Sequence, residues 1–355
     1  IYGKIKFDDA TLMDDTTSRR SFGSLDMKGK YFYINSKIFA GKEKFAQITG
    51  TTRPYYGKEC NLKVVTSKNM DLALFHEKLL ALRDMIGFKI TPVEDMKFIG
   101  KGDLSLSFTG KFKDINIKGK INFVNTKLSY KTLSKPIDNV FGSITFKGDR
   151  LFYDNLKGLM EKSKLVVSGY TTLKAYSDVD IYAPDKSLHT IIDLVNKSQL
   201  LKPVKKALTI IEKANGRGEL KLNLKGNPDD LFTKGKITIK NATLKLRDIS
   251  TPIYQVKGSI SFENDKVDFS NKLFGVMAKS PIVLSGKIKD QISDLLLTSP
   301  KMDTEAVYNM INTSPSLVGV KKSLKDYSNF DGYTESKIYL NGDVTSTHLF
   351  QKGIF

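Results

Sequence analysis

One short string returns along this chain: G-K-I-K-F from Gly3, G-K-I-N-F from Gly119 and G-K-I-T-I from Gly235, with Gly353-Ile354-Phe355 closing the 355 residues. The opening glycines lie 116, 116 and 118 residues apart. A period of that kind constrains the fold more than any single motif, because each copy must build the same unit and bury its apolar face the same way. Three further landmarks keep step with it. Gly23-Ser24-Leu25 returns as Gly142-Ser143-Ile144 and Gly258-Ser259-Ile260. Strands close on Gly50, Gly169 and Gly286, and others on Gly110, Gly226 and Gly342. The landmarks define repeat units over 1–118, 119–234 and 235–352, with 353–355 the start of a truncated fourth. Because the chain opens and closes inside the motif, it reads as part of a longer array whose targeting or anchoring segment lies outside it.

Between the landmarks the local code is strand. Ile121 and Phe123 share one face and Lys120 and Asn122 the other, the period of two of a sheet with a dry side and a wet side. Ile5 with Phe7, and Ile237 with Ile239, repeat the pattern. The next apolar pairs, Leu128 with Tyr130 and Leu244 with Leu246, fall in the opposite parity, so a bulge is expected at Val124-Asn125-Thr126 and Lys240-Asn241-Ala242. Polar turns such as Lys147-Gly148-Asp149 and Glu263-Asn264-Asp265 then predict an antiparallel meander.

Each unit changes period once. Leu72, Phe75, Leu79, Leu82 and Ile86 follow Asp71 at helical spacing. Leu188, Ile191, Ile192 and Val195 follow Asp185, with a second helical stretch expected from Pro203 through Leu208 and Ile211 to Ala214. Val307, Met310 and Ile311 follow Asp303, then Val320, Leu324 and Tyr327. Asp303, or Thr304 beside it, is placed as an N-cap. The fold class expected is mainly β with one helical segment per repeat: an elongated, curled antiparallel sheet, or repeating β-groove, of three tandem repeats.

Composition removes several alternatives. Hydrophobic residues at 40% and charged residues at 27% argue against disorder. No apolar run approaches the roughly 18 residues of a membrane-spanning helix. A single cysteine, Cys60, excludes an internal disulfide framework and a multi-cysteine zinc site. The formal charge of +19 suits an acidic partner, yet the lysines alternate with aliphatic residues along nearly every strand, as a solvated outer face requires.

The recurring phrase G-K-I-T-I-K-N-A-T-L-K-L, S-T-P-I-Y-Q-V-K-G, S-I-S-F-E-N-D-K-V-D-F, S-P-I-V-L-S-G, repeated as S-K-P-I-D-N-V-F-G, S-I-T-F-K-G-D-R-L-F-Y-D-N and S-K-L-V-V-S-G, resembles the AsmA-like family of bacteria with two membranes. That family includes TamB and YhdP and is more distantly similar to the bridge-like lipid transfer proteins. The likeness covers nearly all of the chain, although Arg19-Arg20-Ser21 stands where the other copies have Lys135-Pro136-Ile137 and Thr251-Pro252-Ile253. It implies a β-groove with an apolar interior, a periplasmic location with an inner-membrane anchor outside this chain, and phospholipid conducted between inner and outer membranes during outer-membrane biogenesis. The physics suits that role, since exposing an acyl chain of about sixteen carbons to water costs on the order of 12 kcal/mol.

The groove-lining candidates are Ile5, Phe7, Ile121, Phe123, Leu128, Tyr130, Ile144, Phe146, Ile237, Ile239, Leu244, Leu246, Ile260 and Phe262. The same residues would equally serve as ordinary core, and a structural or adhesive β-repeat stalk with a filled core and no ligand is the alternative function. A polyanion or nucleic-acid binder would need an exposed basic and aromatic stripe, whereas along the strands lysine alternates with aliphatic residues; no nucleic-acid partner is expected. The partners expected are phospholipid acyl chains and adjoining repeats of the same polypeptide. No enzyme, cofactor or metal site is expected. His76, His189 and His348 occupy different landmarks, the His189–Asp193 pair has a four-residue helical spacing that could orient a base but reads better as two solvent-facing side chains, and the acid pairs Asp8-Asp9, Asp14-Asp15 and Asp229-Asp230 lack the ligand pattern of a calcium loop.

Overall fold

The computed structural model describes residues 2–10, 19–40, 43–53, 57–73, 95–112, 114–130, 133, 135–197, 205, 208–247, 249–315, 321–322, 324–326 and 330–344. Strand dominates, as the alternation predicts: twenty strands of one antiparallel sheet, with two helices among the described residues. The chain divides into two compact units, the first formed by Ile1–Lys131, Lys135–Met160 and Val166–Val179, the second by Thr132–Ser134, Glu161–Leu165 and Asp180–Phe355. The division falls near residues 160–180, away from the repeat boundaries expected at 118/119 and 234/235.

In the first unit β1 (Tyr2–Ala10), β2 (Arg19–Lys28), β3 (Tyr31–Ala40), β4 (Glu43–Arg53) and β5 (Glu59–Thr66) pair in succession. β5 then pairs with β7 (Met96–Lys111), which also holds the short β6 (Met70–Asp71). β8 (Asp114–Tyr130), β9 (Ile137–Gly148) and β10 (Arg150–Met160) continue the meander. β11 (Ser163–Thr172) and β12 (Ser177–Ser187) follow, with Val166–Val179 counted in this unit and the rest of both strands in the second.

The second unit carries α1 (Leu188–Lys197) and then β13 (Ile211–Asn227), β14 (Asp230–Leu246) and β15 (Ile253–Glu263). β16 (Lys266–Asp268) and β17 (Leu273–Met277) share the next position, followed by β18 (Ser280–Lys289), β19 (Ile292–Asp303), α2 (Thr304–Thr313) and β20 (Tyr333–Asp343).

The parity slip expected after Phe123 is a register shift between Phe123 and Thr126, with Asn125 at φ 53, a left-handed conformation that asparagine tolerates well. Its counterpart lies between Ile239 and Ala242. The strand-closing glycines behave alike, Gly50, Gly169 and Gly286 having φ of 135, 114 and 114, and Gly110, Gly226 and Gly342 having 110, 122 and 146; of the described opening glycines only Gly119 has a positive φ, of 134.

Asp303 caps α2 as expected, its side chain accepting from the Ala306 N–H at 2.9 Å. Helix α1 starts after Asp185 as its periodicity predicts. The second helical stretch is corrected: Leu208 is helical, but Ile211 and Ala214 lie in β13, opposite Leu246 and Leu244. Spacing by threes fits a helix, yet cross-strand pairing with two leucines on an apolar face outweighs so weak a local signal. Phe75, Leu79, Leu82, Ile86, Pro203, Val320 and Tyr327 lie outside the described residues, as do His76, His348, Asp14-Asp15 and Gly353-Ile354-Phe355.

Candidate functional site

Directly paired residues share a face of a sheet, so the register turns scattered apolar residues into rows. One row in the first unit runs Ile5, Leu25, Ile34, Gly50, Leu62, Phe108, Ile117. A second runs Phe7, Gly23, Ser36, Ile48, Val64, Leu106, Gly119, Phe146, Leu151. A third begins at Leu104 and continues through Ile121, Ile144 and Tyr153. Together they form one continuous apolar face.

Burial along that face is graded. Ile5 is 62% exposed, Phe7, Leu25, Ile34, Ile48, Leu62 and Val64 are half-buried, and Phe108 and Ile117 are buried, Ile117 completely. The apolar face is therefore partly open over β1–β5 and closed from β7 onward. Of the lining candidates in this unit, Ile121, Phe123, Leu128, Ile144 and Phe146 are all buried, and Tyr130 is half-buried. Phe123 stacks on Phe98 with ring centroids 5.5 Å apart.

In the second unit Ile237, Ile239, Leu244, Leu246, Ile260 and Phe262 are buried within one cluster that also holds Leu188, Ile191 and Val195 of α1 and Met310 of α2. Both helices thus pack onto the apolar face. These side chains are buried in the same cluster as the apolar residues of the two helices.

Several polar and titratable groups lie next to the core. Cys60 is buried beside the Phe108 carbonyl, and burial pushes its thiol up. Burial lowers the Lys186 ammonium, opposed by the nearby Glu161 carboxylate, which accepts from Thr190 at 2.6 Å. His189 is exposed on α1. Among the described residues no cluster of His, Cys, Asp and Glu could hold a metal ion, and no helix is long and apolar enough to cross a membrane.

Tyr153 is the most perturbed of these groups. Burial pushes its phenol up to about 12, its hydrogen bond to Thr171 at 3.0 Å opposing the rise and Tyr130 adding to it. An unfolded tyrosine releases its proton near pH 10. Between about pH 10 and about pH 12 the unfolded state therefore binds fewer protons than the folded one, and stability falls as pH rises. Urea unfolding at about pH 9 and about pH 11.5 is expected to show a loss of about 2 kcal/mol that Tyr153→Phe removes.

The chain matches no family model, no curated protein and no solved structure.

Proposed function

We propose that the chain is a non-enzymatic segment of three tandem β-units whose apolar face shields phospholipid acyl chains, within an AsmA-like protein of the periplasm of a two-membrane bacterium. The observation that supports it best is the half-buried apolar face of β1–β5, where Ile5, Phe7, Leu25, Ile34, Ile48, Leu62 and Val64 remain in contact with solvent on one side of a sheet. Apolar surface of that extent is costly in water, at about 25 cal/mol per Å², and an alkyl chain laid on it removes the cost on both sides. The matching φ of the strand-closing glycines supports the threefold repeat. In this reading lipid lies over β1–β5, and the buried candidates from Ile121 to Phe262 form the packed wall that holds the face in shape.

A second reading, the filled β-stalk, is favoured by the closed cluster around α1 and α2. Mass spectrometry of organic extracts from the purified chain, with titration of a fluorescent long-chain fatty acid, separates the two. The conduit reading expects co-purifying phospholipid and saturable probe binding, lost in Ile34→Asp/Leu62→Asp while far-UV circular dichroism is retained. A chain that carries no lipid and leaves the probe in water is the stalk.

A further inference from the structure

The opposite, polar face of the first unit carries a feature that no single stretch of sequence displays. Lys63, Ser107, Lys118, Lys147 and Arg150 stand opposite one another in turn across β5, β7, β8, β9 and β10. The hairpin ends of this unit lie at the same end of the strands, where Lys28 faces Tyr31, Arg53 faces Glu59, Glu59 faces Lys111, and Lys147 faces Arg150. Rings collect there with the cations. Lys28 lies over Tyr33 at 5.5 Å, Arg53 over Tyr31 at 5.1 Å, Lys147 over Phe152 at 5.3 Å and Arg150 over Tyr170 at 4.8 Å. Tyr170 is in turn 6.4 Å from Tyr176. From β3 to β10 this band crosses six strand steps, about 29 Å at about 4.8 Å per step.

We propose that this basic and aromatic end of the polar face docks on a bilayer surface rich in anionic headgroups. The cations of its β8–β10 part are uncompensated: among the described residues no carboxylate pairs with Lys118, Lys120, Lys147 or Arg150. The acids close by are Asp26, which faces Tyr33 and pairs with Lys4 at 3.4 Å, Glu59, whose charge Arg53 shares at 3.5 Å, and the exposed Asp114 and Asp149. The second unit supplies an internal contrast. At 116 residues further on, Lys234 stands for Lys118 but Glu263 for Lys147, and the two pair at 3.6 Å, while Lys266 pairs with Asp268. The cation line is thus particular to the first unit and not a by-product of the repeat.

A bilayer fits this band better than a nucleic-acid strand. Stacked bases need free ring faces, and the faces of Phe152 and Tyr170 already carry Lys147 and Arg150. Half-exposed tyrosines with long cationic side chains match the depth profile of a headgroup layer, where ring bodies sit among glycerol groups and cations reach phosphate. Towards the other end of the same face Asp103, Asn122, Ser143 and Asp154 stand in one row, so the protein meets the membrane hairpins first. The docking surface is separate from the apolar face and stands whether or not that face carries lipid.

Co-sedimentation of the 355-residue chain with vesicles tests the proposal. Binding is expected to phosphatidylcholine vesicles containing about one-third phosphatidylglycerol and to be weak on pure phosphatidylcholine, falling as salt rises. Lys118→Gln/Lys147→Gln/Arg150→Gln is expected to weaken partitioning about a hundredfold, at about fivefold per cation. Lys37→Gln/Lys97→Gln/Lys157→Gln, with the same charge change among exposed lysines of the same unit away from the band, is expected to stay within about twofold of the parent. All six side chains are solvent-exposed, and unchanged circular dichroism establishes that both variants fold. Equal losses in the two variants would overturn the proposal, because net charge alone would then drive binding. Tighter binding to a single-stranded oligothymidine than to the anionic vesicles, abolished by the first variant, would overturn it in favour of a nucleic acid.

Discussion

Gly286→Val is expected to lower the free energy of unfolding by about 3–5 kcal/mol, enough to leave much of the protein unfolded under mild conditions. Gly286 sits inside β18 opposite Leu295, at φ +114, a conformation closed to β-branched residues. A Cβ there would fall inside the contact radius of the Asp294 carbonyl oxygen and 2.9 Å from the Leu295 Cα. Both atoms are backbone of a paired strand and cannot swing aside as a flexible side chain would. Relief requires breaking the ladder where Leu284, Ile288 and Leu295 are buried. The comparison is Gly29→Ala, in the turn between β2 and β3, where φ is +62 and nothing lies within 4 Å; that variant is expected to lose about 1 kcal/mol. Urea unfolding of the two variants checks the ordering, and equal losses would mean that the β18–β19 ladder yields at little cost.

The second large effect contrasts two leucines in cross-strand rows. Leu284, 2% exposed, packs in register between Leu273 and Leu297 inside the closed cluster, and Leu284→Ala is expected to cost about 2–5 kcal/mol through lost transfer energy and the cavity left behind. Leu25, half-buried between Ile5 and Ile34, leaves little cavity, and Leu25→Ala is expected to cost about 1 kcal/mol. The asymmetry bears on function. A side chain whose removal leaves stability nearly unchanged while reducing lipid recovery belongs to a ligand-bearing face; one whose removal unfolds the chain belongs to the wall. Equal costs at the two positions would mean that the β1–β5 face is as tightly packed as the second unit.

The alternation in G-K-I-N-F, the bulge after Phe123 and the cap at Asp303 were legible because each depends on neighbours within a few residues. Ile211 and Ala214 were misread because their partners, Leu246 and Leu244, lie some thirty residues away and decide the contest between helix and strand. The apolar rows were legible as sets of residues, but their burial was not: Ile5 and Ile117 have the same local pattern, yet one is exposed in β1 and the other buried in β8. The basic band was hidden more thoroughly. Along each strand lysine alternates with aliphatic residues, so the composition looks like a solvated face; Lys118, Lys147, Arg150 and Tyr170 become neighbours only through pairing across hairpins.

The gradation from Ile5 to Ile117 also sets how the first unit breathes. Amide protons are released to solvent by local opening, and the free energy of opening follows the apolar area that must be wetted. Deuterium should therefore enter β1 through β5 within a time that leaves β8 and β9 still protonated, with the boundary near β7. A face that loosens at one margin and stays rigid at the other can change shape locally without giving up its scaffold.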